Sequence, residues 1–288
     1  MVKKSLCIAL LALTTLSSSA QKKEWFNNVK LSGYGMTQYQ YSDQKGNKSN
    51  SFNLRLFRLV LDGRILNDFY WKAQIQVNGN TSTLGSSPRL VDLFAEWQKY
   101  DYFKVKIGEF KRPFTFDNPL HPIDQGFMSV AQSVQKLASF SDRAGAHPSN
   151  GRDIGVQIQG DFLKNNAGRN LVHYQVGVFD GQGINVRDVD QQKNIIGGVW
   201  VMPIEGMRLG CFGWTGSYAR KGTWTDAAGT THSGVRSLQQ RRYAFSAEYK
   251  VKDWTVRSEY VHSTGNAFAK ALSNTDASAA TDCNLSAD

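Results

Sequence analysis

The residues with the clearest capacity for chemistry are charged side chains that recur at alternate positions. Lys72, Lys104, Lys106, Arg242 and Arg257, with Asp92, Glu96, Asp153, Glu248 and Glu259, take the polar positions of segments in which apolar and polar residues alternate. Side chains two apart share one face of a strand, so these charges would line one wall, mixed in sign rather than purely basic. The chemistry open to such a wall is passage, because rings of charge bias which ions move through the water beside them. Charges that only solvate and cross-link a wet interior are the plainer use of the same residues. Enzymatic arrangements are missing: there is no HExxH, nucleophile elbow, phosphate-binding glycine loop or paired CxxC. Ser258 and His262 share the apolar face but lack a surrounding hydrolase motif, and Gly33-Tyr34-Gly35 falls inside a strand. The run Asp180-Gly181-Gln182-Gly183-Ile184-Asn185 fits no EF-hand spacing and reads as a glycine-rich loop. No catalytic residue, metal ligand or cofactor is expected, and the protein does not read as an enzyme.

The elements that must carry these residues are strands. Residues 69–78 alternate without an error, with Phe69, Trp71, Ala73, Ile75 and Val77 on one face and Tyr70, Lys72, Gln74, Gln76 and Asn78 on the other. Looser copies near 29–41, 52–64, 89–99, 103–110, 152–162, 171–179, 194–202, 207–214, 241–251 and 254–262 give about eleven strands in all. Short turns at 66–68, around Asp101, at 203–206 and at 252–253 alternate with longer loops near 42–50, 79–88, 111–151, 180–192 and 215–240. Residues 164–170 form a medium connection where a tight turn was due. Short on one side and long on the other is the layout of a barrel whose apolar face meets lipid. Helix signals are few, the best running from Gln125 to Leu137.

Trp71, Trp97, Tyr100, Tyr102, Phe103, Trp200, Tyr249 and Trp254 sit at or near the short-turn ends, where amphipathic rings would mark a headgroup boundary. A secreted β-sandwich is the alternative, but it gives no reason for strands so regularly near the ten residues of a tilted span. Lys3 and Lys4 precede an apolar run from Leu6 to Leu16 and the small residues Ser18-Ser19-Ala20, so residues 1–20 read as a cleaved signal peptide and the mature chain begins at Gln21. Without Lys3 and Lys4, 32 basic residues stand against 24 acidic ones. That excess alone is compatible with anionic solutes, nucleic acid or simple solubility. Cys7 leaves with the signal, Cys211 falls on an apolar face and Cys283 in a polar tail, and nothing in the pattern brings the last two together.

The segment 111–151 is too long to be an idle connection. Folded inward, it would narrow a pore. Its Lys111, Arg112, Lys136 and Arg143, with Arg152 just beyond, are nearly balanced by Asp117, Asp124, Asp142 and Asp153. In the second strand, Arg55 and Arg58 lie on opposite faces of an ideal strand. Either a bulge near Leu56 and Phe57 turns both inward, the preferred reading because arginine at mid-depth in lipid is costly, or one leaves for an interface.

Four stretches carry a family resemblance: Arg55-Leu56-Phe57-Arg58-Leu59-Val60-Leu61-Asp62-Gly63, Val91-Asp92-Leu93-Phe94, Ile107-Gly108-Glu109-Phe110-Lys111-Arg112-Pro113-Phe114, and Tyr174-Gln175-Val176-Gly177-Val178-Phe179-Asp180-Gly181. In type and order, over roughly residues 30–260, they resemble the phosphate-selective porin O and P family, most specifically in the element Gly108 to Phe114. The resemblance implies an all-β fold, a sixteen-stranded antiparallel transmembrane β-barrel of the outer membrane of a Gram-negative-type bacterium. It further implies a homotrimer and a third long loop folded inward as a constriction. Arg55, Arg58, Lys111 and Arg112 match the family's basic positions, and Arg143 resembles the arginine near the end of that loop. The expected function is passive diffusion of small anions, with phosphate or polyphosphate as the narrower reading. General or oligosaccharide passage, or a plugged barrel acting through its outer loops, are the alternatives. The anion pathway expected from parity and resemblance together comprises Arg55, Arg58, Lys72, Lys104, Lys106, Lys111, Arg112, Arg143, Arg152, Arg242 and Arg257.

The chain departs from the family in supplying about eleven strands, over 21–262, before a polar tail at 263–288 with no terminal aromatic. An even strand number is the rule for such barrels, so a fragment missing about five strands, its tail a loop cut by truncation, is expected. Partners implied are outer-membrane lipid, small anionic solutes, further copies of a full-length chain and the barrel-assembly machinery; nucleic acid is not expected.

Overall fold

A computed structural model describes residues 26–78, 88–127, 130–137, 150–265, 268, 277, 278 and 285–287. The signal segment, Arg143 and Cys283 lie outside the described residues. The chain forms one antiparallel sheet in which each strand pairs with the next in sequence order. The strands are β1 Phe26–Ser42, β2 Ser49–Ile65, β3 Phe69–Asn78, β4 Arg89–Tyr100, β5 Phe103–Lys111 and β6 Arg152–Lys164. They continue as β7 Asn170–Phe179, β8 Asn194–Val201, β9 Met207–Thr225, β10 Thr231–Val251, β11 Trp254–Gly265 and β12 Leu285–Ala287. The order runs from β1 to β12 without a crossover, and no pairing joins β1 to β12 among the described residues.

One face of the sheet is apolar and exposed, the other polar and covered. On β3, Phe69, Ile75 and Val77 are exposed while Gln74 and Gln76 are fully buried, as the alternation predicts. Exposed Leu31, Phe52, Leu59, Ile107, Val176, Phe245 and Val256 continue the outer face around the sheet. No helix among the described residues is long and apolar enough to cross a membrane, so any crossing is made by strands.

Two of the register shifts bear on the inner face. Between β1 and β2, Met36 pairs with Leu56 but Thr37 with Leu54, which makes Arg55 the extra residue. Burial on β2 switches parity at that point, so Arg55 and Arg58 both face inward. Between β3 and β4, Gln74 pairs with Asp92 and Ile75 with Leu90; Val91 and Asp92 are consecutive and both buried.

The structure departs from the sequence pattern in four places. The long loop expected at 215–240 is instead the outer half of a hairpin, paired as far as Thr225 and Thr231. Its turn is closed by the Asp226 carboxylate, which accepts from the Ala228 and Thr230 amides at 2.9 Å each, with Gly229 at φ 83°. Beyond the apolar band both faces of a strand can be polar, so backbone pairing persists where hydropathic alternation fades. The helix expected over Gln125–Leu137 is confined to α1, Gln132–Leu137, because the chain bends at Gly126, φ 74°. Trp200, expected at the aromatic rim, faces inward and stacks on His173 with centroids 3.9 Å apart. In the polar tail, Leu285–Ala287 pairs with Val261–Ser263 as a twelfth strand.

Candidate functional site

The described part of segment 111–151 lies across the polar face of the sheet. At one end His121 meets the Tyr34 ring of β1, centroids 4.8 Å apart. At the other, the Phe116 and Asp117 amides donate to the Glu259 carboxylate of β11 at 2.7 and 3.0 Å. One loop reaches both the first and the eleventh strand, so the sheet curves around it.

An apolar patch on the inner face explains why the loop docks there. Phe110, Phe179, Ile196, Phe212, Trp214, Ala244 and Val261 form a buried cluster with Phe114, Phe116, Val134 and Leu137 of the loop. Phe114 packs edge-on to Trp214 at 5.5 Å and Phe116 to Phe212 at 5.4 Å. Burying an aromatic of this size contributes roughly 1.5–3 kcal/mol, so two of them offset the ordering of about three loop residues at roughly 1–2 kcal/mol each. The signal was present in sequence: Phe110, Phe179, Ile196, Phe212 and Trp214 place apolar residues on the face that charge parity assigned to water.

The base of the loop is tied by buried ion pairs. Arg112 Nη2 lies 2.6 Å from Asp153 Oδ2, and Asp153 also accepts from the Gly181 and Gly183 amides at 3.0 and 3.3 Å. The glycine-rich run 180–185 is therefore a loop folded onto the same anchor, and no cluster of potential metal ligands occurs among the described residues. Arg152 grips Asp92 with Nε at 2.7 Å and Nη2 at 3.3 Å, while Lys72 reaches the same carboxylate at 3.1 Å. Lys111 donates to the carbonyls of Asn118 and Leu120 at 2.8 and 2.6 Å. Arg242 donates to the Leu137 carbonyl at 2.7 Å, with its guanidinium 4.2 Å from the Trp214 centroid. Arg257 binds Glu248 at 2.7 Å and the Gln125 carbonyl at 2.9 Å.

The remaining expected residues belong to the wall. Arg58 is 2% exposed and donates from Nε to Gln76 at 2.8 Å, its guanidinium 5.9 Å from the Tyr34 centroid. Lys104 lies 3.5 Å from Asp161 and Lys106 3.7 Å from Glu96. Lys72, Lys104 and Lys106 keep 20, 23 and 17% of their side-chain surface. Among loop groups, burial, reinforced by the charges of Arg58 and Lys72, pushes the His121 imidazole down to about 4. Several inward arginines escaped the sequence reading, among them Arg208, Arg220 and Arg236. Arg208 binds Glu248 at 2.9 Å with its guanidinium 4.0 Å from the Phe116 ring; Arg220 and Arg236 stand on the outer half of the β9–β10 hairpin, where a loop was expected.

An antiparallel sheet with an apolar outer face, a charged inner face and a loop folded against that inner face is the wall of a porin-type outer-membrane channel. The family model for phosphate-selective porin O and P matches residues 31–188, and the chain belongs to that family. Among solved structures it is similar to a loop L8 deletion form of OmpT, an outer membrane protein of Vibrio cholerae, at 12% identity and TM-score 0.48, covering 83% of this chain and 70% of that one. It is also similar to OprB of Pseudomonas putida, at 12% identity and TM-score 0.46, covering 86% and 72%. No curated protein matches the sequence.

Proposed function

We propose that this outer-membrane channel protein passes small anions by diffusion, with segment 111–151 as its constriction and residues 1–20 removed on export. The observation that carries the reading is the docked loop: held from Tyr34 to Glu259, it leaves Lys72, Lys104 and Lys106 partly exposed on the wall beside it. Arg55, on the same face, extends that wall. Arg58, Lys111, Arg112, Arg152, Arg242 and Arg257 contribute positive potential while fastening the loop and its surroundings, and Arg143 is assigned to the same pathway on its motif position. In planar bilayers across a salt gradient, the reversal potential is expected to report anion preference; cation preference would sink the reading. Block of chloride current by phosphate tests the narrower solute claim, and chemical cross-linking of the folded protein tests assembly as a trimer.

Passage of neutral solutes is the second reading, favoured by the carboxylate beside each of Lys72, Lys104 and Lys106. These pairs lower the net field along the wall. Under that reading the reversal potential stays near zero while uncharged sugars enter vesicles at size-limited rates.

A further inference from the structure

Between loop residues 113–119 and the inner wall of β5 to β9 lies a cavity of 250 Å³ that the ion-pair network does not fill. It is smaller than the roughly 300–1,000 Å³ of pockets that take drug-sized ligands, so its occupant is monosaccharide-sized. Three cations line it, Lys106, Lys111 and Arg208, and no carboxylate does. Their acidic partners stand behind the lining: Glu248 holds Arg208 at 2.9 Å, and Glu96 lies 3.7 Å from Lys106, too far for a hydrogen bond. Lys111 has its amine bound to the loop carbonyls of Asn118 and Leu120, so Lys106 and Arg208 are the cations open to the cavity. Asp161 lies behind His173, bound to its Nδ1 at 2.7 Å.

The rest of the lining asks for hydroxyl groups. Gln157, Gln159 and Gln175 present amides from adjacent strands β6 and β7. Gln157 is 3% exposed; its Nε2 donates to Gln159 at 2.6 Å, and its Oε1 has no hydrogen-bond partner. A buried acceptor left in that state is costly unless a ligand O–H or N–H meets it. Trp200, one face covered by His173, and Phe116 give the cavity an apolar side suited to C–H groups.

We infer that this cavity is a binding site for a monosaccharide-sized organic anion, an acidic head on a hydroxylated body, taken up along the proposed anion pathway and resting on that reading. The head is met by Lys106 and Arg208, and a hydroxyl donates to Gln157 Oε1. Isothermal titration calorimetry of the detergent-refolded protein with gluconate, glucose and inorganic phosphate tests it. Gluconate is expected to bind at least tenfold more tightly than either of the others. Equal affinity for gluconate and phosphate would leave only a general anion site, equal affinity for gluconate and glucose only a neutral sugar site, and absent gluconate binding no site; each overturns the proposal. Gln157→Glu, matched in size, brings a carboxylate into the cavity and is expected to weaken gluconate at least tenfold. Should that variant not fold, Gln175→Leu is expected to weaken it several-fold, and unchanged affinity overturns the assignment. Bilayer recordings separate the two readings. An anion-preferring channel that does not bind gluconate sinks only the site, whereas gluconate binding by a protein that never conducts sinks only the channel.

Discussion

At the scale of single residues, basic side chains divide between clamps and wall. Arg112 and Arg152 are charged groups withdrawn from water, tolerable because Asp153 and Asp92 complete their hydrogen bonds. Asp153 is the most connected, holding Arg112 and the amides of Gly181 and Gly183. Asp153→Ala would strand a buried guanidinium, and an unfolding titration in urea is expected to show a loss of about 3–5 kcal/mol. His121 offers a pH test with a definite sign. Its environment includes the cations Arg58, Lys72 and Lys111, opposed by Asp124, and burial holds it neutral down to about 4. A released loop would protonate it at its ordinary value near 6.5, so docking is at full strength above that pH and weakens as pH falls from there towards 4. Limited proteolysis of the loop should accelerate across that window. His121→Gln should flatten this part of the profile, and an unchanged profile would remove His121 from the account.

At the scale of elements, the loop is held by aromatic packing as much as by charge. Phe114 is fully buried against Trp214 and Phe212, so Phe114→Ala is expected to cost about 3–5 kcal/mol of docking free energy. Protease cleavage within 113–127 should then rise sharply while the sheet keeps its far-ultraviolet dichroism. An equal loss of both would place Phe114 in the sheet's own stability instead. The sequence made the strands legible wherever their two faces met different surroundings, and β3 is read to the residue for that reason. It failed along 215–225 and 231–240, where apolar residues such as Tyr218, Trp224 and Leu238 are too sparse to alternate and ladder hydrogen bonds leave no mark on hydropathy. Arg55 was legible through steric and dielectric reasoning: two arginines out of parity on a wall bounded by lipid call for a bulge, and the register supplies it. The ion-pair partners were not legible, because Asp92 with Arg152 and Arg112 with Asp153 depend on the curvature of the whole sheet and on a loop whose path no local pattern encodes.

At the scale of the molecule, the decisive question is which medium meets the outer face. A sheet carrying exposed Leu31, Phe52, Ile107, Phe245 and Val256 on one side would aggregate in water, whereas in a bilayer the same surface is solvated. Cys211 provides a built-in reporter. It is exposed on β9 between Val199 and Phe245 of the neighbouring strands, four positions beyond Met207 at the short-turn end. At about 3.3 Å per residue and a tilt near 40°, it lies roughly 10 Å into the wall from that end. With Cys7 and Cys283 replaced by serine, a fluorophore on Cys211 in lipid vesicles should be quenched by brominated acyl chains and shielded from aqueous iodide. The same label on Lys104→Cys, whose native side chain stands on the inner wall with 23% of its surface exposed, should show the reverse order of quenching. If iodide reached Cys211 as readily as the inward position, the apolar face would not be the lipid face. The division between wall and pathway, on which every charge assignment here depends, would then have to be inverted.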